Sequence, residues 1–130
     1  MSWKFVIKKG IIYDPQGKVF ATGVYAGGNL GKNPEGINNP LLCAVKDIGP
    51  LPPGKYHFGE PVTHSKLGEF AIPLIPDLQN IMMGRGDFYC HGDMIGHPRC
   101  GSEGCIVTER VYREKMWAST DHEILVVADE

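Results

Sequence analysis

The chain has 130 residues, enough to bury one proper core and too few for two, so residues 1–130 read as a single domain. Thirteen basic residues stand against fifteen acidic ones without long runs of either sign, which gives no electrostatic footprint for nucleic acid or an anionic membrane. No apolar run approaches the roughly 20 residues of a membrane span, so no nucleic-acid and no membrane partner is expected.

Seventeen glycines and ten prolines cut the sequence into short segments rich in valine, isoleucine and aromatics, the composition of a mainly β domain with one or two short helices. The start, Met1-Ser2-Trp3-Lys4-Phe5-Val6-Ile7, has neither a signal-peptide apolar region nor a cleavage site. The expectation is a protein made in the cytoplasm that reaches any target outside by another route.

In chain order, residues 3–7 and 11–13 read as a hairpin turned at Lys8-Lys9-Gly10. Asp14-Pro15-Gln16-Gly17 is a strong turn, because proline presets φ and glycine accepts a positive one. Residues 18–26 read as a third strand, and 27–40, rich in glycine and asparagine, as a long loop. Residues 27–33 miss the phosphate-binding pattern: the glycine spacing is short, Ser or Thr is missing after Lys32, and Pro34 blocks a following helix. Residues 41–48 read as one or two helical turns stopped by Gly49-Pro50, and 55–59 as a short strand. Residues 61–69 read as a polar connection. Pro73 makes 70–75 an edge strand or a bulge, since it cannot donate to a ladder. Pro76 suits the first position of a short helix ending at Gly84. Residues 88–91 read as a central strand. Thr108 is a suitable cap for a helix over 109–118, with Val111, Tyr112 and Met116 inward and Arg110, Glu114 and Lys115 outward. Residues 123–127 close the chain as a buried strand.

Chemistry concentrates in residues 88–106, where the aromatic strand delivers His91-Gly92 and Gly101-Ser102-Glu103-Gly104-Cys105 sets a cysteine just before an apolar start. A free thiol, with a reference pKa of about 8.5, becomes a good nucleophile when an imidazole takes its proton. His91 and Cys105 are fourteen residues apart, enough for a loop to bring the chain back beside itself. Cys105 therefore reads as the nucleophile and His91 as its base. Gly104 lets the backbone turn and a carbonyl approach, so amides around Gly104 and Cys105 are candidate oxyanion donors, with the Ser102 hydroxyl beside them. Asp93 either orients His91 or caps a turn, because a backbone carbonyl can also orient such a base; Gly92 belongs to the same group. Arg85 suits a substrate carboxylate but equally an ion pair with Asp87 or Asp77. His97 is a rival base on a loop, and His57, His64 and His122 read as surface residues. Cys43 reads as a small buried hydrophobe, and Cys90 with Cys100 is a possible disulfide across the loop.

The run His91-Gly92 followed by Gly101-Ser102-Glu103-Gly104-Cys105-Ile106 resembles the signature of L,D-transpeptidase catalytic domains, bacterial enzymes that act on peptidoglycan stem peptides. Asn38-Asn39-Pro40, Gly49-Pro50-Leu51-Pro52-Pro53-Gly54-Lys55-Tyr56 and Gly84-Arg85-Gly86-Asp87-Phe88 are similar to the branch of that superfamily with type VI secretion effector toxins and phage-borne domains. The resemblance covers residues 22–127. It implies a β-sandwich or barrel, Cys105 as nucleophile, His91 as base, Gly104 as the small residue of the oxyanion turn, and no cofactor. Many relatives carry histidine where Glu103 stands and arginine where Val107 stands. The resemblance implies cleavage or exchange at the diaminopimelate–D-alanine bond of tetrapeptides, a wall-weakening activity in the bacterial periplasm, with an immunity protein or delivery apparatus as further partners. Two other readings compete: a structural zinc site drawn from Cys90, His91, His97, Cys100 and Cys105, and an inactive wall-binding module of a phage or secretion particle. Adjacent Cys90 and His91 point to opposite faces of a strand, which argues against zinc.

Overall fold

In the computed structural model, which describes residues 2–130, the β-rich composition yields ten strands and one α-helix. Trp3–Val6 (β1) and Ile11–Tyr13 (β2) form the expected hairpin, with Gly10 at φ 65 in the turn. Asp14 closes the next turn by accepting from the amides of Gln16 and Lys18. The single strand expected over 18–26 is two. Val19–Ala21 (β3) pairs with β2, the chain breaks at Gly23 (φ 64), and Tyr25–Ala26 (β4) joins a different part of the sheet.

Residues 27–53 stay irregular apart from three short 3-10 turns, Asn29–Gly31, Pro34–Gly36 and Pro40–Leu42. The helical turns expected over 41–48 shrink to the last of these. Gly54–Phe58 (β5) follows, then Val62–His64 (β6), which pairs back on Gly68–Pro76 (β7) where a polar connection was expected. The nine-residue β7 lies between β5 and Phe88–His91 (β8), so Pro73 is not on an edge. Backbone N–H and C=O of one antiparallel residue point to the same neighbour. The Pro73 carbonyl accepts from Gly59, one residue past the end of β5, so the missing donor falls where that strand has finished. No helix forms over 76–83: Asp77 caps a turn at Gln79, and Asn80 binds both backbone groups of Lys55.

Ile106–Val107 (β9) pairs with β8 in parallel, and Glu123–Val127 (β10) inserts between β1 and β5. Between them Arg110–Ala118 (α1) begins one residue later than expected. Glu109, not Thr108, occupies the cap position and makes no side-chain capping bond. Met116 is buried, but Val111 is exposed and Arg113 is the second buried residue of the helix. The Arg113 guanidinium is drawn inward by the carbonyls of Glu69, Phe70 and Thr108.

The main path runs β3-β2-β1-β10-β5-β7-β8-β9-β4. Nine strands laid flat would put its edges about 38 Å apart at the usual spacing, yet β3 and β4 are consecutive in sequence, and the chain from Ala21 to Tyr25 spans at most about 14 Å. The sheet therefore curls until its edges nearly meet, around a core that includes Phe5, Ile12, Tyr56, Ile72, Ile106 and Ile124. Burying each such side chain contributes about 1.5–3 kcal/mol. α1 packs against β7 and β8.

Candidate active site

Strand alternation puts Tyr89 and His91 on one face of β8 and Cys90 on the other, where it is fully buried. Cys105 immediately precedes β9, whose Ile106 and Val107 stand opposite Cys90 and His91. The parallel register thus carries Cys105 next to Tyr89, whose amide donates to Cys105 Sγ at 3.3 Å. Cys105 and His91 line one cleft of about 440 Å³, together with His64, Lys46, Lys66 and Glu103.

His91 is 1% exposed. Its Nδ1 lies 2.7 Å from the Gly92 carbonyl, and since a carbonyl only accepts, Nδ1 carries the proton of the neutral ring and Nε2 the lone pair. Nε2 is buried and, among the described residues, has no hydrogen-bond partner. Burial pushes the His91 pKa below its ordinary value, with the Arg113 charge adding to the effect and the Gly92 carbonyl opposing it. At neutral pH the ring is an uncharged acceptor.

Burial also pushes the Cys105 thiol up to about 11, against the opposing Tyr89 amide. The resting pair is a thiol and a neutral imidazole, not a thiolate and an imidazolium. A thiol of this kind can act as a nucleophile only by giving up its proton as it attacks, and a neutral imidazole with a free Nε2 lone pair is chemically able to take one.

The residues around the thiol differ in part from expectation. Ser102 is 1% exposed; its hydroxyl donates to the Cys105 carbonyl and accepts the amides of Gly27 and Gly104. The Gly104 amide and the Ser102 proton are therefore both committed within the turn. They shape the turn. Gly104 has φ +136, and a Cβ there would stand 2.6 Å from Arg85 Nη2 and 2.7 Å from the Phe88 ring.

Arg85 is not available to a substrate carboxylate, nor paired with Asp77 or Asp87. Nearly buried, it donates to the carbonyls of Cys43, Gly49, Pro50 and Glu103 and stacks its charge 5.2 Å from the Phe88 ring centroid. It ties the 43–50 loop to the residue two before the thiol, and its positive charge lowers the Cys105 pKa. Asp93 caps its loop: it accepts from the Tyr25 hydroxyl and from the amides of Met94 and Arg99. The group that orients His91 is the Gly92 carbonyl.

His97 sits on the exposed loop beyond Asp93, outside the cleft. All four cysteines are free, so Cys90 and Cys100 are not bridged. Among the described residues no three of His, Cys, Asp and Glu gather in a metal-binding group, so the donors of the zinc reading are not assembled.

Sequence reasoning missed His64, Lys46 and Lys66. His64 enters the cleft because β6 and β7 form a hairpin that leans over it; reading 62–71 as a hairpin is the signal that finds it. The two lysines come from separate loops, and only the folded chain brings them to one cleft.

Residues 28–127 match the family described as the Tlde1 domain, a type VI secretion effector domain. No curated protein and no solved structure matches the chain.

Proposed function

The chain belongs to the Tlde1 domain family of type VI secretion toxin effectors, and from that premise we propose that it is a cysteine acyl-transfer enzyme of the L,D-transpeptidase kind acting on peptidoglycan stem peptides. The observation that carries this reading is the buried, unpartnered Nε2 of His91, its tautomer fixed by the Gly92 carbonyl, in the same cleft as the Cys105 thiol.

Cys105 Sγ attacks the carbonyl carbon of the diaminopimelate–D-alanine bond while its proton passes to His91 Nε2. As the tetrahedral intermediate collapses the C–N bond breaks, and His91 returns the proton to the departing D-alanine amine. A thioester is left on Cys105. Water then gives L,D-carboxypeptidase cleavage, and a free D-amino acid gives exchange; both weaken the wall. A second stem peptide would give a crosslink. Lys46 and Lys66, exposed on the cleft wall and free of ion pairs among the described residues, supply the positive charge that carboxylate-bearing stem peptides require. The delivery apparatus and an immunity protein are the remaining partners of this reading, and the periplasm its place of action.

Incubating the purified protein with tetrapeptide muropeptides and following the products by mass tests it. Loss of one D-alanine, or its replacement by an added D-amino acid, is the expected result. Substrate unchanged under both conditions overturns the reading.

A further inference from the structure

Around the Cys105 thiol, most of the nearby donors are not free to hold the oxygen that becomes negative when a carbonyl is attacked. The Gly104 amide and the Ser102 hydroxyl are committed to the turn, and the Tyr89 amide to the sulfur itself. Lys46 and Lys66 are exposed chains held by no bond among the described residues, whereas stabilising an oxyanion depends on donors already in position.

His64 is held in position. At the end of β6 its Nδ1 accepts the amides of Lys66 at 3.0 Å and Leu67 at 3.2 Å. Two amides donating to Nδ1 require the lone pair there, so the neutral ring carries its proton on Nε2. The ring also packs edge-on against Tyr89, centroids 5.1 Å apart, and Tyr89 is the residue whose amide touches the thiol. His64 lines the same cleft as His91 and Cys105. Among the described residues its Nε2–H has no acceptor. The two imidazoles thus have opposite tautomers: one presents a lone pair, the other a proton.

We propose that His64 is a catalytic hydrogen-bond donor, its Nε2–H binding the substrate carbonyl oxygen as Cys105 attacks. This rests on the reading of Cys105 as nucleophile, but not on the identity of the natural substrate. In the step it serves, the sulfur–carbon bond forms, the carbonyl π pair moves onto oxygen and is held by His64, and the thiol proton goes to His91. Collapse of the intermediate then expels the leaving group.

The test compares two reactions of the same sulfur in the whole protein. Acylation by p-nitrophenyl acetate passes through an oxyanion and releases p-nitrophenolate; alkylation by iodoacetamide displaces iodide at a saturated carbon and does not. The Cys105→Ala protein gives the background from the other thiols. Two substitutions are needed because His64 also caps its turn. His64→Ala removes cap and donor, whereas His64→Asn keeps an acceptor for the turn amides and loses the ring donor. Acylation of Cys105 is expected to slow about 100- to 1000-fold in both, with alkylation in His64→Asn within about twofold of the parent. Acylation unchanged in His64→Asn overturns the proposal, and so does an equal loss of both reactions, which would mark His64 as structural. A parent protein that acylates at Cys105 but leaves muropeptides untouched contradicts the substrate assignment alone.

Discussion

The backbone amide of Tyr89 donates to Cys105 Sγ at 3.3 Å, so the strand that carries the imidazole two residues further on also grips the sulfur. His91 and Cys105 are located by one ladder. The loop between them varies nothing in their spacing as long as β8 and β9 remain paired.

Replacing either member of that pair should separate chemistry from folding. Cys105→Ala is expected to abolish muropeptide turnover while costing about 1 kcal/mol of stability, and His91→Gln should do nearly the same to turnover. Cys43→Ala should leave turnover unchanged. Product mass together with thermal denaturation checks all three.

Activity should fall as pH drops through the His91 pKa, which burial sets below the ordinary 6.5, because the protonated ring has no lone pair for the thiol proton. Alkylation of Cys105 should be slow at pH 7 and rise toward pH 11, where burial has put the thiol. Stability follows the same groups. Below pH 6.5 the unfolded chain takes up a proton that folded His91 refuses, and above pH 9.0 the unfolded chain loses protons that Cys105 and Cys90 retain to about 11 and about 12. Folding is favoured most between those limits and weakens on either side. Chemical denaturation across pH 5–11 would reveal the plateau.

Arg85→Met should reduce stability by at least about 3 kcal/mol, since it leaves four carbonyls without their donor in a buried site. The expected fall in Tm is on the order of 10 °C for a domain of this size. A substrate-binding arginine would instead raise KM with the fold intact, so thermal denaturation beside KM discriminates the two roles.

Gly104→Ala places a methyl 2.6 Å from Arg85 Nη2 at a backbone angle of φ +136, and should cost roughly 1–3 kcal/mol from backbone strain alone. Ser102→Ala should cost a similar amount by freeing two amides and a carbonyl. In both variants kcat should fall with stability, because the turn that aims the sulfur loosens.

Charge reversal at Lys46 and Lys66 addresses binding instead. The double change to Glu should raise KM for a tetrapeptide about tenfold or more with little effect on folding, since both side chains are exposed. Loss of an equal factor from kcat with KM unchanged would remove them from substrate recognition.

The sequence made the local rules of this fold legible and hid the long-range ones. The β1–β2 hairpin, the Asp14 turn, β8 and β10 follow from alternation, proline and glycine, all of which act within a few residues. Periodicity put Val111 inward on α1 because it is apolar, yet carbonyls from β7 claimed Arg113 for the interior. Pro73 misled for a related reason: its effect depends on where β5 ends, which no local pattern states. At the site, the flanks of His91 and Cys105 pointed to a shared location, and both line one cleft. Arg85, Ser102 and Gly104 were named there too, but their partners lie in distant loops, so their work was not.

The parallel pairing of Trp3–Val6 with the C-terminal strand means that the segment matching the family, residues 28–127, leaves out strands that the sheet contains. Trimming a recombinant version to that segment would strip one whole side from β10 and one from β9, and take away Tyr25, which anchors the loop after His91. Such a fragment would present two raw sheet margins to its neighbours, and would be expected to clump rather than to report on catalysis.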